Sequence, residues 1–184
     1  MRIIGGEARG RRLATPVGHD TRPTYDRVRE SVFGILGPRL RGAAVLDLFA
    51  GSGALALEAL SRGAERAVFV DHSRKAADAI RTNIEAVRVA DRARLLVCDW
   101  REALQKLRGE RFTLVFLDPP YRMEDVYEQA AREILEYGLL APDGRMVFEH
   151  ARGVKITLPS PLVVCDVRRY GDTSVSFAYA EEPL

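Results

Sequence analysis

The segment AAVLDLFAGSGALALEALSRG (43–63) decides the fold, because it joins a strand, a glycine turn and a helix without interruption. Its first part, AAVLDLF (43–49), is a continuous apolar run typical of a fully buried strand. The glycines of AGSG permit a tight turn, and ALALEALSRG then continues as a helix that Gly63 ends. A strand, a glycine loop and a helix in this order are typical of the first unit of a doubly wound α/β sheet.

The same alternation continues along the chain. Further strands are predicted at 66–71, 93–99, 112–118 and 144–150, and helices are predicted to end near residue 87, to span about 100–107 and to span about 124–137. Strands that are apolar along their whole length belong in a parallel sheet that helices cover on both faces. The pattern therefore predicts an α/β protein with a Rossmann-like sheet.

The C-terminal part departs from this rhythm. LVVCDVRRY (162–170) and TSVSFAY (173–179) flank Gly171-Asp172, a two-residue loop with glycine first, which is typical of an antiparallel hairpin. We therefore predict a mostly parallel seven-stranded sheet that ends in an antiparallel pair. A single domain is expected to span residues 1–184, with its Rossmann-like core at 43–184.

Two segments precede that core. Residues 1–22, which we call the basic arm, are rich in glycine and arginine and predict a small hairpin or an extended segment. A helix is predicted over 23–37, because apolar residues recur there at helical spacing after Pro23 and Gly37-Pro38 ends the pattern.

Charge is unevenly distributed, although the net charge is only +2. Residues 1–41 hold nine arginines against four acidic residues, whereas the remainder holds 19 basic and 22 acidic residues. This asymmetry is typical of an arm that binds a polyanion. Its candidate contacts, set among glycines that would let the arm adapt, are Arg2, Arg9, Arg11 and Arg12. Arg22, beside Pro23 at the start of the predicted helix, is a further candidate and could instead reach the cofactor or the target base. Because the chain has 25 arginines and three lysines, the alternative is an arm that packs over the sheet and keeps its arginines solvated.

Composition also excludes several classes of protein. The sequence has no run of about 18 apolar residues and no signal-peptide pattern, which predicts a soluble, cytoplasmic chain without a membrane partner. Cys98 and Cys165 match no metal or redox spacing, and both are predicted to be buried strand residues. His19, His72 and His150 are scattered, so we expect no bound metal.

Four of the first five predicted strands end in aspartate: Asp47, Asp71, Asp99 and Asp118. Ligands bind beyond the carboxyl ends of strands in open parallel sheets, so this row of acids predicts a polar ligand. The loop after the first strand contains G-x-G-x-x-A, with Asp71 twenty residues after Gly51, which also fits the loose fingerprint of an NAD-dependent oxidoreductase.

Asp47 argues against a dinucleotide, because a pyrophosphate at this helix start would lie close to a carboxylate. S-adenosylmethionine has no phosphates and carries a cationic ammonium and sulfonium, so it is the favoured cofactor. Its candidate contacts are Asp47, Phe49, Gly51, Gly53, Asp71, His72, Asp99 and Trp100.

Most of these residues have an expected role. The two glycines would let the backbone approach the ligand, Asp47 would face the methionyl ammonium, and Asp71 would accept from the ribose hydroxyls. Asp99 would accept from the adenine amino group, and His72 or Trp100 would pack against the adenine plane. Trp100 is equally suited to a core position at the start of a helix.

The stretch FLDPPY (116–121) predicts the catalytic site. The exocyclic amine of a base is a weak nucleophile, because its lone pair is delocalised into the ring. Asp118 and the Pro119 carbonyl could accept its two N–H bonds and free that lone pair, while Pro120 helps to fix the backbone and Tyr121 offers a face for an extruded base. The alternative is a simple turn.

The chain resembles the RsmD family of bacterial 16S rRNA guanine-N2 methyltransferases over essentially its whole length. The segments that carry this resemblance are RIIGG (2–6), GRRL (10–13), RPTYDRVRESVFGIL (22–36), DLFAGSGALALEALSRGA (47–64) and DPPY (118–121). The resemblance implies a class I methyltransferase fold, S-adenosylmethionine as donor, and a guanine of 16S rRNA, within the small ribosomal subunit or its assembly intermediate, as target.

The sequence departs from the family pattern at Gly34, where relatives often have Asn, and at Trp100, where a small residue is common.

Two other functions remain open at this point. One is methylation of an adenine amino group in DNA or RNA, because DPPY would grip that amine equally well. The other is a ribosome-assembly factor that binds rRNA without catalysis.

Overall fold

The computed structural model describes residues 1–16, 23–120, 123 and 125–181. This part of the chain forms seven strands: β1 Ala44–Asp47, β2 Arg66–Asp71, β3 Ala93–Val97, β4 Phe112–Leu117, β5 Leu140–Ala151, β6 Leu162–Tyr170 and β7 Thr173–Ala180. Its helices are α1 Pro23–Leu36, α2 Ala54–Ser61, α3 Arg74–Val87, α4 Trp100–Lys106 and α5 Asp125–Glu136, with a 3-10 helix at Gly37–Leu40 after α1.

All seven strands belong to one sheet with the order β3-β2-β1-β4-β5-β7-β6. The first five of these strands pair in parallel, and β7 runs antiparallel to both β5 and β6. This confirms the predicted α/β fold, with its mostly parallel sheet and C-terminal antiparallel hairpin. The strand order reverses between β1 and β4, and such a switch point is where doubly wound sheets bind ligands.

Helices cover both faces of the sheet. The core on one face includes side chains of α1, α2 and α3, among them Phe33, Leu57 and Ile80. The core on the other face includes side chains of α4 and α5, among them Leu104 and Ile134. Each large apolar side chain buried in these layers contributes about 1.5–3 kcal/mol, which holds the strand ends at fixed relative positions.

The start of the basic arm is a small hairpin. The Ile3 amide donates to the Arg11 carbonyl at 2.9 Å, and the Leu13 amide donates to the Met1 carbonyl at 3.0 Å. Ile3 is fully buried in the core on the α1 side of the sheet. Residues 1–16, the described part of the arm, are therefore packed on the body of the protein.

Glu58 of α2 anchors this hairpin. Its two carboxylate oxygens accept from the Ile4 and Gly5 amides, each at 2.8 Å. The side chain is fully buried and also pairs with Arg62 at 2.7 Å and with Arg29 of α1 at 3.8 Å. One buried carboxylate thus joins the arm, α1 and α2.

The prediction that both cysteines are buried is wrong. Cys165 is exposed and Cys98 is half-buried. The reason is the strand order, which places β6, the strand of Cys165, and β3, which Cys98 follows, at the two edges of the sheet. An edge strand has one neighbour only, so its side chains keep more contact with water.

The fifth strand starts earlier than predicted. β5 begins at Leu140, before the predicted start at 144, and passes through Pro142-Asp143-Gly144. Pairing with β4 is irregular there, because the register shifts between the Phe112–Leu140 pair and the Leu114–Arg145 pair.

Across the described residues, no helix combines the length and apolarity that crossing a bilayer requires. The same residues contain no group of three or more His, Cys, Asp or Glu side chains that could hold a metal ion.

Candidate active site

The carboxyl ends of five parallel strands lie at one end of the sheet, and an acidic residue lies within two residues of each strand end. In the spatial order β3, β2, β1, β4, β5 these residues are Asp99, Asp71, Asp47, Asp118 and Glu149. The structure therefore places the four predicted aspartates in a row at the carboxyl end of the parallel strands. It adds Glu149, which sequence reasoning missed although the predicted fifth strand also ends near an acid.

Asp71 holds the glycine loop in place. One of its carboxylate oxygens accepts from the Gly51 amide at 2.9 Å, and the other accepts from the Ser73 amide at 2.8 Å. The side chain ties the loop after β1 to the start of α3, a structural role that the sequence did not predict. Each oxygen keeps a further lone pair, so the expected contact with ribose hydroxyls is compatible with these bonds.

Gly51 and Gly53 both have positive φ, at +56° and +77°, but they face different surroundings. A Cβ at Gly51 would meet no atom within 4 Å, whereas a Cβ at Gly53 would lie 3.1 Å from the Phe69 ring. Gly51 thus leaves the loop backbone open to a ligand. The close approach at Gly53 is to the protein core, which differs from the expected ligand contact.

Asp47 is a buried carboxyl group with one free oxygen. Its Oδ2 accepts from the Ala56 amide at 3.3 Å, and no hydrogen-bond donor of the described residues reaches its Oδ1. The pKa of Asp47 is raised to about 8, mainly by burial; the Ala56 hydrogen bond opposes this rise, and the charges of Asp118 and Asp71 add to it. A cationic group beside Oδ1 would lower this pKa and satisfy the oxygen, so the site fits the ammonium of S-adenosylmethionine.

The residues expected near adenine are only partly brought together. His72 is 81% exposed, with its Nδ1 3.9 Å from Asp71 Oδ1. Asp99 is exposed and caps α4, accepting from the Arg101 amide at 2.9 Å. Trp100, in contrast, is 4% exposed within the core, and Arg101 lies over its ring at 4.2 Å. Trp100 is thus a core residue, because it starts α4 on the face that packs against the sheet.

Phe49, another expected cofactor contact, is half-buried in the glycine loop. It packs against the core on the α4 and α5 side of the sheet.

Asp118 follows β4, the neighbour of β1 at the switch point. Burial raises the pKa of Asp118 to about 7. Pro119 is buried, and the carbonyl of the exposed Pro120 accepts from the Met123 amide at 2.9 Å, which fixes the path of the backbone after the carboxylate. Tyr121 lies outside the described residues.

The predicted arm contacts Arg2, Arg9, Arg11 and Arg12 are all exposed. Because Glu58 anchors the hairpin, the backbone that carries these four arginine side chains is held in place. Arg22 lies outside the described residues.

Ala14 of the arm is joined to the glycine loop through Asn83 of α3. The Asn83 amide nitrogen donates to the carbonyls of Ala14 and Ser52, each at 2.9 Å, and its oxygen accepts from the Ala14 amide at 2.7 Å. The basic arm and the glycine loop are therefore joined through one buried side chain.

A sheet of this order, with a glycine loop after an acid-ended β1 and an Asp-Pro-Pro segment after β4, defines a class I S-adenosylmethionine-dependent methyltransferase. The model of a family described as "Conserved hypothetical protein 95" matches residues 1–179. The chain belongs to this family, which includes the RsmD methyltransferases, and the resemblance predicted from the sequence is confirmed.

Individual relatives support this assignment. Ribosomal RNA small subunit methyltransferase D of Escherichia coli (strain K12) is 38% identical over 149 residues, which cover 81% of this chain and 74% of the relative. YlbH of Bacillus subtilis (strain 168) is 40% identical over 183 residues, covering 96% and 97%. The solved structure of yhhF from Escherichia coli is 33% identical, with a TM-score of 0.87 over 100% of this chain and 99% of that chain.

Proposed function

We propose that the protein transfers a methyl group from S-adenosylmethionine to the exocyclic N2 amine of a guanine in 16S rRNA. The observation that carries this proposal is the position of Asp118. Its carboxyl group follows β4 at the switch point, next to the β1 end where Asp47 and the glycine loop form the cofactor side. The name of the Escherichia coli relative supports rRNA of the small subunit as the substrate.

Asp118 and Pro119 prepare the target amine in this proposal. The carboxylate accepts one N–H and the Pro119 carbonyl accepts the other, which draws the nitrogen toward a tetrahedral shape and frees its lone pair. The rigid Pro119-Pro120 pair keeps that carbonyl in place. Tyr121 provides a face for the extruded base, and stacking on one aromatic ring contributes about 1–3 kcal/mol.

On the cofactor side, Asp47, Gly51 and Asp71 would hold S-adenosylmethionine, with His72 and Asp99 toward its adenine. When bound, the cofactor supplies a methyl group on a cationic sulfur. The protein's own contribution is to hold the nitrogen in line with that group, and such positioning accounts for a large part of many enzymatic rates.

The substrate is expected to be the small ribosomal subunit or an assembly intermediate, and an rRNA target would place the reaction in the cytoplasm. The exposed arginines of the anchored hairpin would bind its phosphates.

The decisive experiment uses small ribosomal subunits from a strain that lacks its own enzyme. We expect the protein and labelled S-adenosylmethionine to methylate one guanine at N2, located by mass spectrometry of nuclease fragments. Naked 16S rRNA and assembled subunits are compared in parallel. Label on an adenine amino group would favour the adenine methyltransferase instead, and RNA binding without label would favour the assembly factor.

The cofactor is tested separately by thermal unfolding. S-adenosylmethionine and its demethylated product should raise the melting temperature by mass action, and NAD should leave it unchanged. Stabilisation by NAD alone would overturn the cofactor assignment.

A further inference from the structure

Glu149 is an acidic neighbour of Asp118 that the proposed grip on the target amine does not use. β4 and β5 are parallel neighbours, and Leu117 pairs with Phe148 at the end of their register. The next residues in that register are Asp118 and Glu149. Side chains alternate along a strand, so these two leave the same face of the sheet, opposite to Leu117 and Phe148.

Both acids line one small cavity of about 10 Å³. The rest of its wall consists of apolar side chains from α1, α2, β4, β5 and β7: Val32, Leu55, Phe116, Leu117, Val147 and Val175. A cavity of this volume holds at most about one water molecule. Two carboxyl groups that share a cavity with apolar walls resist ionising together at neutral pH, because burial weakens the hydration of each charge and the two charges repel.

Burial makes both carboxyl groups of the pair harder to ionise. Burial and the charge of Asp118 together raise the pKa of Glu149 well above the usual carboxyl range. The pKa of Asp118 is raised to about 7 by burial. An ordinary glutamate keeps its proton to a higher pH than an ordinary aspartate does, which favours Glu149 as the holder of a proton that the pair shares.

Among the described residues, no Lys, Arg or His side chain forms an ion pair with either acid. In α2, Glu58 already binds Arg62 and Arg29, and Arg29 of α1 also pairs with Asp26 at 3.0 Å. The nearest strand end, at β1, adds the acid Asp47, whose own pKa the Asp118 charge raises.

The remaining polar contacts fix the backbone around Glu149. The Tyr127 hydroxyl of α5 donates to the Glu149 carbonyl at 2.7 Å, and the next residue, His150, binds the Ser176 hydroxyl of β7 at 2.9 Å. Burial lowers the pKa of His150, which keeps its ring neutral.

We propose that Glu149 is a positioning residue that stays protonated in the free protein and donates a hydrogen bond to the Asp118 carboxylate. That bond holds one Asp118 oxygen and leaves the other to accept an N–H of the target amine. The part that Glu149 plays in holding the target amine rests on the proposed function. The proton shared between Glu149 and Asp118 does not depend on that function.

The first test follows the carboxyl groups directly in the free protein. Carbon-13 NMR of protein labelled at Asp and Glu side chains is recorded across a pH titration, and Glu149→Gln and Asp118→Asn assign the two signals. We expect Asp118 to titrate near pH 7 and Glu149 at a higher pH. A Glu149 signal that titrates before Asp118 overturns the proposal, whatever reaction the protein catalyses.

The second test compares two replacements of Glu149 by the pH profile of single-turnover methyl transfer. Gln keeps a hydrogen-bond donor without an ionisable group, and Leu is similar in size without a donor. We expect the midpoint of the Glu149→Leu profile to lie about one pH unit or more above that of Glu149→Gln, because Asp118 loses a donor that favours its charged form. Equal midpoints for the two pH profiles would mean that Glu149 only fills space and donates no hydrogen bond to Asp118.

Glu136→Gln is the matched control, because it removes the same charge from an exposed position of α5. Its profile should coincide with that of the wild type. Melting temperatures show whether each variant is folded. If even the wild type transferred no methyl group, the proposed function would fail, but the NMR titration would still decide the order of ionisation.

Discussion

Asp47 and Asp118 are carboxyl groups that burial keeps partly protonated at neutral pH, with pKa values of about 8 and about 7. Their proposed partners differ: Asp47 is expected to bind the cofactor ammonium, and Asp118 is expected to accept a hydrogen bond from the target amine. A cation lowers the pKa of a neighbouring carboxyl, whereas an amine N–H needs a carboxylate that has already ionised. Replacing each residue should therefore disturb a different step.

Asp118→Ala should abolish methyl transfer and leave S-adenosylmethionine affinity largely unchanged, because its proposed partner is the target amine. Single-turnover transfer to small subunits and calorimetric binding of the cofactor measure the two properties. Tyr121→Ala should reduce transfer less, and Tyr121→Phe should be close to wild type, because the ring supplies the stacking surface. Wild-type turnover in Asp118→Ala would exclude the gripping role.

Asp47→Asn should make stability less dependent on pH. The unfolded chain loses the Asp47 proton near pH 4, as ordinary aspartates do, and the folded protein loses it near pH 8. Between these values the folded state binds more protons, so the free energy of unfolding falls as pH rises. The Asn variant lacks this contribution, although Asp118 and Glu149 still impose a slope of the same sign.

Urea unfolding at several pH values from 5 to 9 measures this slope. Asp78→Asn serves as the control, because Asp78 has a 76% exposed side chain on α3. It should keep the wild-type slope. The assignment of a raised pKa to Asp47 fails if both variants behave alike.

At the residue scale, the sequence predicted the positions of the aspartates at the strand ends. It did not predict positions that depend on contacts between elements. The aspartates at strand ends were predicted because each follows an apolar run. Glu149 was missed because no motif marks it, and its importance comes from the register between β4 and β5. For Trp100 the sequence left two positions open, against adenine or in the core, and the ring lies in the core.

At the scale of elements, the anchored hairpin depends on one buried carboxylate. Glu58→Ala would remove the acceptor of two arm amides and leave Arg29, which is 4% exposed, without its main buried partner. Removing one member of a buried ion pair costs about 3–5 kcal/mol. We expect a loss of that size in urea unfolding, together with faster tryptic cleavage within the arm.

Glu30→Ala is the comparison for this variant, because Glu30 is exposed on the same helix, α1, that carries Arg29. It should change stability by no more than about 0.5 kcal/mol. Equal cleavage rates in the arm of both variants would mean that Glu58 does not hold the hairpin.

Most elements were predictable because their apolar periodicity was unambiguous. β2 was predicted with its observed bounds, and the other parallel strands before β5 differ from prediction by one or two residues at their ends. The start of β5 could not be predicted, since proline and glycine at 142–144 normally break a strand and are accommodated there by a local shift in register. Strand order, and with it the exposure of the edges, is a property of the assembled sheet.

For the whole molecule, the anchored arm predicts how substrate binding responds to salt. Replacing Arg2, Arg9, Arg11 and Arg12 with Gln should weaken binding to small subunits without lowering S-adenosylmethionine affinity. Every arginine–phosphate interaction that the replacements remove should reduce the slope of log affinity against log salt concentration by about 0.7–0.9, because fewer counterions are released. Filter binding at several salt concentrations measures that slope.

Arg108→Gln with Arg132→Gln is the control, because both residues are exposed near α4 and α5, on the opposite face of the sheet from the hairpin core. This variant should retain the wild-type slope. If the four arm replacements also retained it, the arm would be a structural element whose arginines are merely solvated.

The two cysteines differ in exposure, and this makes their thiols chemically distinguishable. Cys165 is exposed on β6, whereas Cys98 is half-buried and burial raises its pKa, which lowers the fraction of reactive thiolate. A maleimide dye should therefore label Cys165 first. In the sheet order, two strands, β7 and β5, separate this position from β4. A fluorophore there would report on docking to a ribosomal particle without occupying the cleft, so the native chain already carries a site for single-molecule measurements.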